Sequence, residues 1–209
     1  MRKINSSELQ KKIFEYLIQN NVNRRVSESV SMGLIWASLR GIDSHGIRLL
    51  PIYIKSIKRG IINLNPKVKK NKITESYFQI DADHTFGHHA GRIAMETCVQ
   101  QARKNGIACA AVANSSHCGA MSFFGFDYAK NGILTIAMTN ASPRILLPNT
   151  RKAFFGNNPI SFIAPISRKK IFCFDSSTTK RTFNMIKYKK EKGQRLQPGE
   201  AADKNGKET

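Results

Sequence analysis

The chain has 209 residues, enough for one sizeable core or for one core with a small helical appendage. Hydrophobic residues make up 41 %, which excludes a wholly disordered chain, and no apolar run reaches the roughly 20 residues of a membrane span. Lys and Arg number 34 against 14 Asp and Glu, a formal charge of +20, so the partner is either a nucleic acid or an anionic small molecule inside a lysine-rich surface.

The amino terminus, "MRKINSSELQ", is polar and lacks a signal-peptide hydrophobic region, so the sequence reads as cytoplasmic. Ser7 and Gln10 suit a capping box, and Leu9, Ile13, Tyr16 and Leu17 recur at helical spacing to about Asn20. Ser27 is placed to cap a second helix carrying Val30, Leu34, Ile35 and Leu39, which Gly41 ends. Pro51 fits the first turn of a third helix that stops at Gly60. Asp43, Ser44 and His45 therefore fall between two helices. Seven basic residues and no acid lie between Lys55 and Lys72. No zinc-finger spacing, leucine heptad or RNA-binding aromatic signature accompanies them, so neither nucleic acid nor membrane is read as the partner.

From residue 73 the texture changes. "ITESYFQI", Ile73 to Ile80, is β-branched and aromatic and reads as a strand. "DADHTFGHHAG" reads as a loop. Ile93, Ala94, Cys98 and Ala102 mark a helix ending near Gly106, and "IACAAVA", Ile107 to Ala113, reads as a strand buried on both faces. A short aromatic helix is expected from Met121 to Asn131, a strand from Ile133 to Thr139, and a further strand from Lys170 to Phe174. This alternation predicts an α/β fold with a largely parallel or mixed sheet and crossover helices. The expected organisation is a helical segment over 1–60, an α/β domain over 73–186 and a polar tail over 187–209. Cys98, Cys109, Cys118 and Cys173 form no CxxC pair and read as reduced thiols, with Cys118 a small buried side chain.

Polar residues gather where strands end: Asn114 to His117, Asn140 with Ser142, and Asp175 to Thr178. Ligands of open parallel sheets bind at such ends. Neither GxGxxG nor GxxxxGK[ST] occurs, so no nucleotide fingerprint marks them. His84, His88 and His89 lie beside Asp81 and Asp83 and read as a solvated loop rather than a metal site. His45 and His117 each follow a serine and precede a glycine within two residues, so backbone can approach a ligand there, and either imidazole can move a proton near neutral pH.

The blocks "LRGIDSHGIRLLPIY", "DADHTFGHHAGRIAME", "SSHCGA", "TNASP", "FFGNNPISFIAP", "FDSSTT" and "DKNGKET" together resemble the type-2 malate/L-lactate dehydrogenase family, in the family's order. Ureidoglycolate, sulfolactate and diketogulonate dehydrogenases and cyclic-imine reductases belong to that family. The resemblance implies a homodimer with a non-Rossmann fold that binds NAD or NADP, interconverting 2-oxo and 2-hydroxy acids by hydride transfer. It implies His45 and His117 at the reacting centre, Ser44 orienting substrate, and Arg48 gripping the carboxylate. It places Asn140, Ala141, Asp175, Ser176, Ser177 and Thr178 at the cofactor.

The sequence also departs from the family. "NTRKAFF" replaces a Gly-Gly turn between Pro148 and Gly156, serines stand in "FDSSTT", Asn184 stands where glycine is usual, and Leu49 fills the family's second arginine position. The match stops where members continue for about another third, so the carboxyl-terminal part is expected to be missing. Two alternatives to the dehydrogenase follow: an inactive truncated remnant, or a basic binding protein reusing the scaffold.

Overall fold

A computed structural model describes residues 4–147, 150–167, 170–203 and 205–208. Of the expected departure between Pro148 and Gly156, only its first positions, 148 and 149, lie outside them. The chain divides into two compact units, Met1–Tyr128 and Ala129–Thr209.

In the first unit, α1 (Ser6–Gln19) starts on Asn5, whose side-chain oxygen accepts from the Ser7 and Glu8 amides at 2.9 and 3.2 Å. The expected Ser7 cap thus lies inside the helix, because an asparagine stands earlier and serves the same orphan amides. Helix α2 (Arg24–Leu39) likewise begins on Asn23, four residues before the expected Ser27. Ser27 is buried within α2 and its hydroxyl donates to the Val22 carbonyl at 3.2 Å. Gly41, at φ +70°, follows the helix end as expected, since only glycine adopts that conformation at little cost. Two 3-10 turns, Asp43–His45 and Ile47–Leu49, lead into α3 (Leu50–Lys58), with Pro51 in its first turn. Leu17, Val26, Val30, Leu34, Leu49, Tyr53 and Phe86 belong to one buried core.

The first sheet has the order β1 (Lys69–Lys72), β2 (Tyr77–Asp81), β3 (Cys109–Ala113). Half of the expected strand at 73–80 is a turn: the Ile73 and Thr74 amides donate to the Tyr77 carbonyl and close the β1–β2 hairpin. Strand β2 pairs antiparallel with β1 and parallel with β3. The expectation that β3 is buried on both faces does not hold. It is the last strand of its sheet, and four of its five residues are exposed. Helix α4 (Gly87–Asn105) begins inside the stretch expected to be a loop, and α5 (Ser122–Ala129) lies where the aromatic helix was predicted.

The second unit contains β4 (Thr135–Met138), β5 (Ile160–Pro165), β6 (Ile171–Ser176) and α6 (Phe183–Glu191). Its three strands pair antiparallel in the order β4–β5–β6. The fold is therefore mixed α/β rather than largely parallel, and β2–β3 is the one parallel pair among the described strands. "ISFIAP" was not read as a strand, yet it is the central one. The tail expected over 187–209 overlaps α6, and Glu200 within it is covered by its partners. Lys189 bonds its carboxylate at 2.6 Å, the Gln197 amide at 3.0 Å, and Arg181 pairs with it. These contacts, Lys189 first, hold its carboxyl well below the usual range.

The second sheet is inverted relative to a solvated one. Residues paired across strands share a face, as do residues two apart along a strand. One face thus collects Ile136, Met138, Ile160, Phe162, Phe172 and Phe174, and five of these six are exposed. The opposite face carries Thr135, Ser161 and Ile163, all buried. We expect Leu34→Ala in the first core to cost about 2–5 kcal/mol, and Phe174→Ser on the open face less than about 1 kcal/mol. Urea unfolding measures both. A large loss at Phe174 would mean that this face is packed.

Candidate active site

The connection between α2 and α3 is pinned to α2. The Ser38 hydroxyl accepts from the Ile47 amide at 3.0 Å, and a methyl group on Gly46 would lie 2.2 Å from that hydroxyl. Glycine is therefore required for the turn to approach the helix. The turn carries Ser44 and His45 side by side, with the Ser44 hydroxyl 2.9 Å from His45 Nδ1.

His117 arrives from the loop after β3, which leaves the sheet through Asn114 at φ +53°. Its ring lies 5.6 Å from that of His45, with 17° between the planes. Tyr53 of α3 places its hydroxyl 2.7 Å from His117 Nδ1. The Gly119 amide donates to the same nitrogen at 3.3 Å. A backbone N–H can only donate, so Nδ1 is an acceptor, the tyrosine hydroxyl is the second donor, and the neutral imidazole carries its proton on Nε2.

The surroundings reinforce this assignment. Tyr53 packs against Phe86 at 5.1 Å, and burial, with Cys118 second, pushes its phenol well above the usual range, so it stays a protonated donor. His117 sits among many protein atoms but keeps an open side. Burial and then His45 hold its imidazole below the ordinary range, and water at the open side limits the first of these. Two donors fixed on Nδ1 act in the same direction, because a protonated ring would oppose them with an N–H.

The structure thus brings Ser44, His45 and His117 together. Arg48 is exposed on the next 3-10 turn, whereas Leu49 is turned into the core. In the second unit, Asn140 and Ala141 follow β4, while Asp175 and Ser176 end β6 and lead into Ser177 and Thr178. These segments share one end of that sheet. The Thr139 amide donates to the Pro159 carbonyl at 3.3 Å, the Thr178 amide to the Asn157 carbonyl at 2.9 Å, and the Ala141 amide to the Asn158 side chain at 3.0 Å. Asn140, Asp175, Ser176 and Thr178 are exposed there, a set of amide, carboxylate and hydroxyl groups.

Two residues that sequence reasoning passed over matter here. Tyr53 was not singled out in the sequence; its signal was a hydroxyl on an apolar helix face, which must find a partner. The stretch read as a solvated loop instead buries His88 on α4, and half-buries His89, whose Nδ1 lies 3.2 Å from the Ser29 hydroxyl. His84 is exposed, at φ +58°. Among the described residues no three His, Cys, Asp or Glu side chains are grouped to hold a metal ion, and no helix is long and apolar enough to cross a membrane.

The first unit thus groups paired imidazoles, a serine and a buried tyrosine, and comparison with known proteins gives the family of the chain. The sequence profile of malate/L-lactate dehydrogenase matches residues 4–209. The chain belongs to that family. It is 35 % identical over 177 residues to a malate dehydrogenase of Pyrococcus abyssi, covering 85 % of this chain and 49 % of that protein. It is 28 % identical over 204 residues to the ureidoglycolate dehydrogenase (NAD(+)) of Escherichia coli O157:H7, covering 98 % of this chain and 58 % of the relative. Among solved structures, the malate dehydrogenase from Entamoeba histolytica superposes with a TM-score of 0.93 at 26 % identity, over 99 % of this chain and 58 % of its own. The chain spans about half to three-fifths of the length of these curated relatives.

Burial drives the His88 imidazole down to about 3, with His117 and His45 adding to the effect. The unfolded chain then binds its proton first, near pH 6.5. Stability is complete above that value and is lost as pH falls from about 6.5 toward about 3. We expect His88→Gln to flatten this acid limb in urea melts between neutral and mildly acidic pH. An equally steep limb in the variant would contradict a buried neutral imidazole.

Proposed function

We propose that this chain carries the proton-transfer and cofactor-contact residues of an NAD(P)-dependent oxidoreductase acting on a small 2-hydroxy or 2-oxo acid. The observation that carries the reading is the pair of donors on His117 Nδ1, beside the stacked His45. With Nδ1 engaged, His117 offers its Nε2–H as a fixed hydrogen-bond donor. Such a donor polarises a carbonyl or steadies a developing alkoxide without giving up its own proton. The proton itself is then assigned to His45, whose Nδ1 lies beside the Ser44 hydroxyl, a group that can donate or accept as the ring gains and loses a proton. Keeping His117 neutral avoids placing a second imidazolium beside His45.

Arg48 is the side chain assigned to the substrate carboxylate, for which a guanidinium offers two parallel hydrogen bonds. Names among the relatives support this substrate class: malate and ureidoglycolate both carry a carboxylate next to a hydroxyl-bearing carbon. In the second unit, Asn140, Ala141 and the Asp175–Thr178 segment are assigned to the nicotinamide cofactor. The exposed amide, carboxylate and hydroxyl groups at that sheet end suit a ligand rich in ribose hydroxyls and an amide. When bound, NAD or NADP supplies or accepts the hydride. The ureidoglycolate relative is named for NAD(+), which supports a nicotinamide cofactor here.

The test has two readouts. Thermal melts with NADH or NADPH should show a cooperative transition that rises with one of them, since only ligand binding to the native state raises stability in this way. Turnover of the cofactor with a small 2-oxo acid should fall by about 10²–10⁴-fold in His45→Ala. His117→Gln should retain more activity than His45→Gln, because an amide can still donate a hydrogen bond but cannot transfer a proton at neutral pH. Near-normal turnover in His45→Ala and in His117→Ala would overturn the assignment, as would a melt blind to both cofactors.

A further inference from the structure

His88 is 1 % exposed, and neither of its ring nitrogens has a hydrogen-bond partner among the described residues. Burying two such atoms is unfavourable, and an apolar side chain would avoid the cost. The ring is held from two sides. A methyl group on Gly33 of α2 would lie 2.3 Å from His88 Cδ2, and one on Gly119 would lie 2.4 Å from His88 Nε2. Both positions therefore have to be glycine while the imidazole is present. Tyr53 meets the ring edge-on at 5.7 Å, and Phe123 lies 6.2 Å away.

The two elements that fix His117 Nδ1 are thus the two that His88 touches: the Gly119 backbone, whose amide donates to Nδ1, and the Tyr53 ring, whose hydroxyl donates to Nδ1. His88 itself comes from the first turn of α4, which lies in contact with α2. We propose that His88 is a positioning residue for His117: a neutral wedge between Gly33 and Gly119 that seats the Gly119 amide and the Tyr53 hydroxyl on His117 Nδ1. It touches no reacting atom and acts only through those two donors. Its neutrality matters as much as its shape, because a cation at this position would face His117 and His45. The functional meaning rests on the proposed role of His117, but the geometric claim does not.

The experiment is nitrogen NMR of the chain labelled at the histidine imidazoles, which reports the His117 tautomer without requiring turnover. Wild type should show one His117 tautomer, protonated at Nε2. His88→Ala should mix the two tautomers, and His88→Gln, which keeps a neutral side chain of similar reach, should restore most of the wild-type pattern. Gly33→Ala provides the second arm, because its methyl group would press directly on His88 Cδ2 from α2. It should disturb His117 when His88 is present and leave it unchanged in the His88→Ala background. That non-additivity is the signature of action through the wedge. If His88→Ala does not fold, Gly33→Ala and His88→Gln alone decide: a disturbed tautomer in the first and a near-normal one in the second support the proposal. An unchanged His117 tautomer in folded His88→Ala or in Gly33→Ala would overturn it. If the tautomer shifts as expected but wild type shows no cofactor-dependent melt or turnover, the dehydrogenase reading fails while the wedge stands.

Discussion

The hydrogen bond from the Tyr53 hydroxyl to His117 joins residues 64 apart in the chain, and the first unit is arranged around keeping it. Tyr53 is placed by α3, which begins where the pinned turn after α2 releases the chain. The core of Leu17, Val26, Val30, Leu34, Leu49 and Phe86 fixes α3 and buries the phenol ring. His117 is placed by β3, which pairs in register with β2 and ends at the left-handed Asn114. A hydroxyl buried in this way must find a partner or bear the cost of being left alone. Here its partner is the nitrogen that decides which way the imidazole presents its proton.

Two histidines of identical chemistry thereby sit in different hydrogen-bonding surroundings. His45 is half-buried, with a serine at its Nδ1, a group that can donate or accept as the ring changes charge. His117 has two donors at the corresponding atom, one of them a backbone amide that cannot reverse its role. In the proposed function, environment rather than residue type separates the proton carrier from the fixed donor, as is usual where two titratable groups share a site. The large positive charge is compatible with the proposed function, since an anionic acid and a phosphorylated cofactor would both be drawn toward a basic surface.

Much of the first unit was legible because its signals are local. Glycine at positions 41 and 60, proline at 51 and a repeating apolar stripe say where helices run and stop. The caps were misplaced by a few residues because asparagine and serine compete for the same task and both were present. Of the two sheet types the sequence left open, the mixed one is present, because alternating helices and apolar runs describe two small sheets as well as one parallel sheet. Strand pairing is a long-range property, and nothing in "ISFIAP" announces that it will be central. The site was legible as a list of residues, through the resemblance around "DSHG" and "SSHCG". It was not legible as a geometry. The tyrosine hydroxyl, the Gly119 amide and the His88 wedge are brought to His117 by tertiary packing, which no spacing rule encodes.

The account depends most directly on His117 remaining neutral with its proton on Nε2. A histidine NMR titration of the wild-type chain, with His117 assigned by substitution, tests this without a substrate or cofactor. The structure predicts a His117 midpoint well below the ordinary histidine value of about 6.5, and a rise toward that value in Tyr53→Phe. An ordinary midpoint in wild type, unmoved by Tyr53→Phe, would mean that the two donors do not hold the ring and that the division of labour between the histidines is wrong.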